Sequence, residues 1–135
     1  MNEYLDSIMD KEVSTLSPSD KLSKARTLLL KRGLHHVPIV DGRKLVGLIT
    51  TWDLFKLESP TDYSKRTCGE IMSTHLAVLA PGDHIGAAAE VLLEHLFQAV
   101  PIVDDEHNFL GMVDLFDILK YEFKREYPKE ATKFA

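Results

Sequence analysis

His35-His36-Val37-Pro38-Ile39-Val40-Asp41, followed by Gly47-Leu48-Ile49-Thr50-Thr51-Trp52-Asp53-Leu54, decides how this chain is read. Both halves come back once. Val100-Pro101-Ile102-Val103-Asp104 repeats the first half 63 residues on, and Gly111-Met112-Val113-Asp114-Leu115-Phe116-Asp117-Ile118 repeats the second 64 residues on. The extra residue falls in the turn between the halves, where an insertion is best tolerated. An apolar run, a turn, a second apolar run and a polar helix start, made twice, is a repeated fold unit.

Outward from that stretch, the first repeat reads as strand, helix, strand, strand, helix. Tyr4, Leu5, Ile8 and Met9 show helical spacing over a short segment, and Val13 to Leu16 reads as a short strand. Ser17-Pro18-Ser19-Asp20 has the composition of a helix start, with Ser17 as cap and Pro18 at the first helical position. Leu22, Ala25, Leu28 and Leu29 share one face of the helix that follows, and Lys31, Arg32 and Gly33 suit its end. His36 to Val40 is a buried strand, Asp41-Gly42 a hairpin turn, and Lys44 to Ile49 the returning strand. Thr50 or Thr51 opens a helix to about Leu57, and Glu58 to Asp62 is a polar break.

The second repeat keeps this order. Ile71-Met72 matches Ile8-Met9, Leu76 to Leu79 is the short strand, and Ile85, Ala88, Val91 and Leu92 form the helix face. Ala80 stands where Ser17 stands, which predicts a helix start weaker by about 1 kcal/mol. The hairpin spans Ala99 to Val113, the last helix runs from about Asp114 to before Pro128, and residues 129–135 read as a loose tail. The expected organisation is repeat 1 at 1–60, repeat 2 at 61–128 and the tail. The fold class is mixed α/β (α+β): two β-α-β-β-α units, each of marginal size for independent stability, packed with pseudo-twofold symmetry.

Composition narrows the function. The 135 residues carry 44% hydrophobic and 27% charged residues, as a globular domain does, and a net charge of −5 argues against a broad grip on nucleic acid. No apolar run reaches membrane-spanning length and the acidic start Met1 to Asp6 lacks an apolar signal core, so no membrane role is expected, and a chain without a disulfide suits a reducing, cytoplasmic setting. Cys68 is the lone cysteine, which rules out an intrachain disulfide and leaves a structural thiol or a nucleophile with no visible site around it.

With the doubled Ile-Met, Val-Pro-Ile-Val-Asp and glycine-strand-Thr-x-x-Asp pattern in hand, the chain resembles a tandem cystathionine-β-synthase (CBS) domain pair, or Bateman module, over about residues 4–122. The resemblance implies a stand-alone regulatory module rather than an enzyme, with no catalytic residues. It implies clefts between the repeats for an adenosine-containing ligand (AMP, ADP, ATP, NAD or S-adenosylmethionine), a homodimer, and output to a separate effector protein. No cofactor is required for that role.

The resemblance assigns the ribose hydroxyls to Asp53, and a carboxylate is suited to accepting two O–H donors at once. Thr50 would lie near phosphate at a helix start. His35 and His36 precede Pro38 at the spacing at which a nucleotide-sensing member of the family places a histidine and a basic residue on phosphates. Binding is then expected to tighten as pH falls toward about 6. Val37, Pro38, Val78 and Ala99 would line an adenine slot. The second cleft would draw on Asp117, Asp114, Thr15 and Gln98, and there Asp114 in place of Thr50 would repel phosphate by about 1 kcal/mol or more. It would therefore stay empty or take a ligand without phosphate at that point. The same residues also read as plain helix caps and strand residues, so a ligand-free structural or dimerisation module is the alternative. No metal site is expected: His75, His84, His95 and His107 find no ligand partners at suitable spacing. Trp52, Phe55, Leu115, Phe116 and Leu119 would form an interface patch if they face outward.

Overall fold

The computed structural model describes residues 1–31, 34–57 and 62–134. The helix end at Arg32 and Gly33 and most of the break at 58–61 lie outside those residues. Secondary structure runs α1 (Leu22–Lys31), β1 (His36–Asp41), β2 (Lys44–Thr50), α2 (Thr51–Phe55), α3 (Asp62–Lys65), α4 (Cys68–Ile71), α5 (Ile85–His95), β3 (Ala99–Val103), β4 (Phe109–Asp114) and α6 (Leu115–Glu126), with 3-10 turns at Leu5–Ser7 and Ala131–Phe134. The sheets are two-stranded: β1 pairs antiparallel with β2, and β3 is hydrogen-bonded to β4.

The chain forms two compact units, and each takes a piece from the other repeat. One holds 13–76 with 106–109; the other holds 1–12, 77–105 and 110–135. Repeat and compact unit are thus different divisions of the chain. In the first unit, Leu22, Ala25, Leu29, Val37, Ile39, Ile49 and Leu54 close around Cys68, with Ile71 and Met72 packed against them. In the second, Ile85, Ala88, Leu92, Val100, Ile102 and Val113 close around Leu5, with Ile8 and Met9 alongside. Leu5 and Cys68 are equivalent positions, both 0% exposed. Burying a leucine side chain in this way stabilises by about 1.5–3 kcal/mol.

Backbone pairing fixes both segments in the same way. Asp10 and Met112 exchange N–H···O bonds of 2.8 and 3.0 Å, and Ser73 and Leu48 exchange bonds of 2.9 and 3.0 Å. The approach is close because Gly111 and Gly47 lie beside these pairs. A Cβ at Gly111 would run into the Asp10 carbonyl, and one at Gly47 into the Met72 side chain.

Four expectations change. The helices begin at Leu22 and Ile85, not at Ser17-Pro18 and Ala80-Pro81. Asp20 and Asp83 fold back to accept the Ser17 and Ala80 N–H groups at 2.8 and 2.7 Å, which makes turns of these stretches. The Ser17 hydroxyl bonds to Ser19 instead of capping α1, so alanine at position 80 removes no cap. The short strands at 13–16 and 76–79 shrink to single parallel bridges, Leu16 to Ile39 and Leu79 to Ile102. The opening segment at 2–9 is a three-residue 3-10 turn. The tail is held, with Ala131 8% exposed and the Phe134 ring edge-on to Phe123 at 5.4 Å.

Replacing Gly111 with alanine is expected to cost about 1–3 kcal/mol in urea-induced unfolding, because backbone rather than a flexible side chain must move. The Gly47→Ala change should cost a similar amount, since the added methyl meets Met72 Cβ as well as its thioether and rotating the side chain does not clear it.

Candidate functional site

The unit containing the β1–β2 hairpin gathers Thr50, Asp53, His35 and His36 at one end of that hairpin. His36 pairs across the ladder with Thr50, and the His35 carbonyl accepts the Thr51 N–H at 3.3 Å. Backbone bonds thus bring the two imidazoles to the start of α2, their rings edge-to-face at 6.5 Å. His35 is exposed, while Val37 and Pro38 are fully buried strand residues of the core. Thr15 adjoins Leu16, whose N–H bonds the Pro38 carbonyl at 3.1 Å.

Thr50 and Asp53 form a reciprocal capping box. Asp53 N–H donates to the Thr50 hydroxyl oxygen at 3.3 Å, Asp53 Oδ2 accepts the Thr50 N–H at 2.8 Å, and the Thr50 hydroxyl donates to the same Oδ2 at 3.1 Å. Lys56 Nζ lies 3.7 Å from Asp53 Oδ1. α2 is five residues long. The geometry makes the Asp53 carboxylate at once the lock of the helix start and the acidic group of this end of the hairpin.

The other unit repeats the arrangement with different chemistry. The Gln98 carbonyl accepts the Leu115 N–H at 3.0 Å, as His35 does for Thr51. Asp114 N–H donates to Asp117 Oδ2 at 2.9 Å, and Asp117 N–H to Asp114 Oδ1 at 2.8 Å. Ala99 is buried at the position of His36, and Val78, half-buried, occupies the position of Thr15. Val78 and Ala99 therefore belong to the Asp114–Asp117 unit, and Thr15 to the Thr50–Asp53 unit. Burial, then the nearby Asp114 charge, outweigh the Asp114 N–H bond and push the Asp117 carboxyl up to about 6.

The sequence reading passed over Lys56. Its signal was present: a lysine follows the capping-box aspartate by three residues in both repeats, as Lys56 and Lys120. Cys68 is buried, and that burial raises its thiol to about 11, which suits a packing residue and not a nucleophile. Among the described residues, no group of three or more His, Cys, Asp or Glu is placed to hold a metal ion, and no helix is long and apolar enough to cross a membrane.

The Asp117 shift carries a sign. Between pH of about 4 and 6 the folded chain keeps a proton that the unfolded chain gives up, so the stability from this group falls as pH rises through that window. Replacing Asp117 with asparagine, which still accepts the Asp114 N–H, should raise the melting temperature by a few degrees at pH ~7.5 and change it little at pH ~4.5. Circular dichroism melts at the two pH values check it.

A family model for the CBS domain matches residues 5–59 and again 68–124. The chain is 32% identical over 127 residues to inosine-5'-monophosphate dehydrogenase of Methanocaldococcus jannaschii, covering 93% of this chain and 24% of that protein. Protein MJ1225 of the same organism has a solved structure with a TM-score of 0.83 and 26% identity, over 90% of this chain and 48% of that one. The CBS domain pair of protein MJ0100, solved in complex with methylthioadenosine and S-adenosyl-L-methionine, gives a TM-score of 0.78 and 28% identity, over 93% of this chain and 99% of that one. The chain spans between about a quarter and a half of the first curated relatives it matches, 24% and 47%. It belongs to the CBS domain family.

Proposed function

We propose that this CBS-family chain is a regulatory module. It holds an adenosine-containing ligand of the AMP, ADP or ATP class at Thr50, Asp53, His35 and His36, and signals its occupancy to a partner protein. The observation that carries this reading is the gathering of two imidazoles and an acidic acceptor at one hairpin end, through the His36–Thr50 pair and the His35 carbonyl. An adenosyl ligand offers the matching groups: a diol that donates to a carboxylate and, in a nucleotide, phosphate for the histidines. The adenosyl ligands of MJ0100 support the ligand class. The Asp114–Asp117 end suits a ligand without phosphate there, such as S-adenosylmethionine. The activity of the dehydrogenase relatives is not carried over, since the match spans 24% of the protein compared.

A second reading has its own observation: both capping boxes are complete within the chain, so the Thr/Asp and Asp/Asp pairs have a structural task without any ligand. Calorimetric titration and thermal shift with AMP, ADP, ATP, NAD and S-adenosylmethionine separate the two. At least one ligand should bind wild type, with a rise in melting temperature of a few degrees in excess ligand. The Asp53→Asn variant, which keeps an acceptor for the Thr50 N–H, should bind it about tenfold or more weakly. No response of either protein to any of these ligands would favour the ligand-free module, and equal binding by both would remove Asp53 from the site.

The proposed assembly is a homodimer. Trp52 and Phe55 stack on α2 at 5.8 Å with exposures of 63% and 79%, and on α6 Phe116 and Leu119 are 69% and 62% exposed. Large side chains left in water on this scale are typical of an interface. Sedimentation should give twice the 15.3 kDa chain mass for wild type and the chain mass for a Phe55→Asp, Phe116→Asp double variant.

A further inference from the structure

Resting on the reading that Asp53 receives a ribose, we infer that Lys56 regulates the filling of that site by competing with the ribose hydroxyls for Asp53 Oδ1. A carboxylate has two oxygens to share among its donors. Oδ2 is committed to the Thr50 N–H at 2.8 Å and the Thr50 hydroxyl at 3.1 Å. A ligand that took Oδ2 would have to undo the pairing that begins α2. Oδ1 is the oxygen left for a diol, and among the described residues the group facing it is the Lys56 ammonium, at 3.7 Å.

Geometry makes this ion pair a latch rather than a brace. The Asp53 side chain is 11% exposed and held by its hydrogen bonds to Thr50, whereas Lys56 is 57% exposed on a flexible stem and can swing into water. Two hydroxyls and an ammonium do not fit on one such oxygen together, so the lysine leaves when the ribose arrives. The pair joins an exposed ammonium to a part-buried carboxylate at a long 3.7 Å, so it is worth little, which sets the scale of the competition. Lys120 follows Asp117 by the same three residues, but there the neighbouring acceptor is the Asp114 carboxylate, so the charge balance of the two ends differs.

The test is calorimetric titration of adenosine, which has the diol and no phosphate, into wild type, Lys56→Met and Lys56→Arg at low and high salt. Lys56→Met should bind adenosine about two- to fivefold more tightly than wild type at low salt. Its affinity should be indifferent to salt, while wild type tightens as salt screens the ion pair and Lys56→Arg follows wild type. A bracing role predicts the opposite, weaker binding by Lys56→Met. Unchanged or weakened adenosine affinity in Lys56→Met, with wild type binding, would overturn the latch alone. Failure of all three proteins to bind either adenosine or AMP would overturn the ligand reading, and the latch with it.

Discussion

The structure depends on the close approach of the two opening segments to strands at two glycines, backbone against Gly111 and the Met72 side chain against Gly47. At Gly111 the strand β4 has no side chain between itself and residues 9–10, and at Gly47 the strand β2 has none between itself and residues 72–73. That space lets Asp10 pair with Met112 and Ser73 with Leu48, which in turn seats Leu5 and Cys68 at the centres of their cores. Half of the chain, cut at its midpoint, would lack the segment that fills its own core. About 60 residues bury too little surface to be securely stable, and the exchange of opening segments adds apolar contact to each unit without lengthening either repeat. The chain also crosses from one unit to the other several times.

Much of this was legible in the residues because it rests on local chemistry. The hairpins, the Asp41-Gly42 turn, the buried faces of α1 and α5 and the start of α6 follow from β-branched alternation, turn residues and 3.6-residue spacing. What could not be read was long-range. Nothing in Tyr4 to Asp10 announces that the segment packs on Ile85 and Val100 rather than on its own repeat, although the identity of Ile8-Met9 with Ile71-Met72 shows that both opening segments do the same thing. The helix starts were misplaced for a local reason. Ser-Pro-x-Asp fits a capping box, but Asp20 uses its carboxylate to close a turn on the Ser17 N–H, and the helix waits until Leu22. The tail was misjudged because the apolar pull of Ala131 and the Phe123–Phe134 contact outweighs a polar composition.

At the candidate site the residue types were readable and their obligations were not. The positions of Thr50, Asp53, His35 and His36 emerge from the repeat, and the hairpin register does bring them together. Their hydrogen-bond duties appear only in three dimensions: the Thr50 hydroxyl proton points to Asp53, and the Asp53 N–H is taken by Thr50. The difference between the two capping boxes comes from one substitution. A threonine gives its partner carboxylate a donor, whereas Asp114 gives Asp117 another negative charge, and burial with that charge holds Asp117 toward protonation.

That contrast bears on how one carboxylate can serve both fold and ligand. A helix cap needs a single acceptor on the N–H it closes, and Asp53 meets that need with Oδ2. Because the Thr50 hydroxyl also donates to Oδ2, the cap is over-satisfied there, and Oδ1 carries no part of it. An aspartate paired with threonine can therefore exchange partners on one oxygen while the other keeps the helix start intact. With aspartate in place of threonine, the hydroxyl donor is lost and the added charge must be relieved by a proton or a cation. On the proposed reading, the first repeat receives a neutral diol beside negative phosphate, and the second receives something that brings positive charge or none.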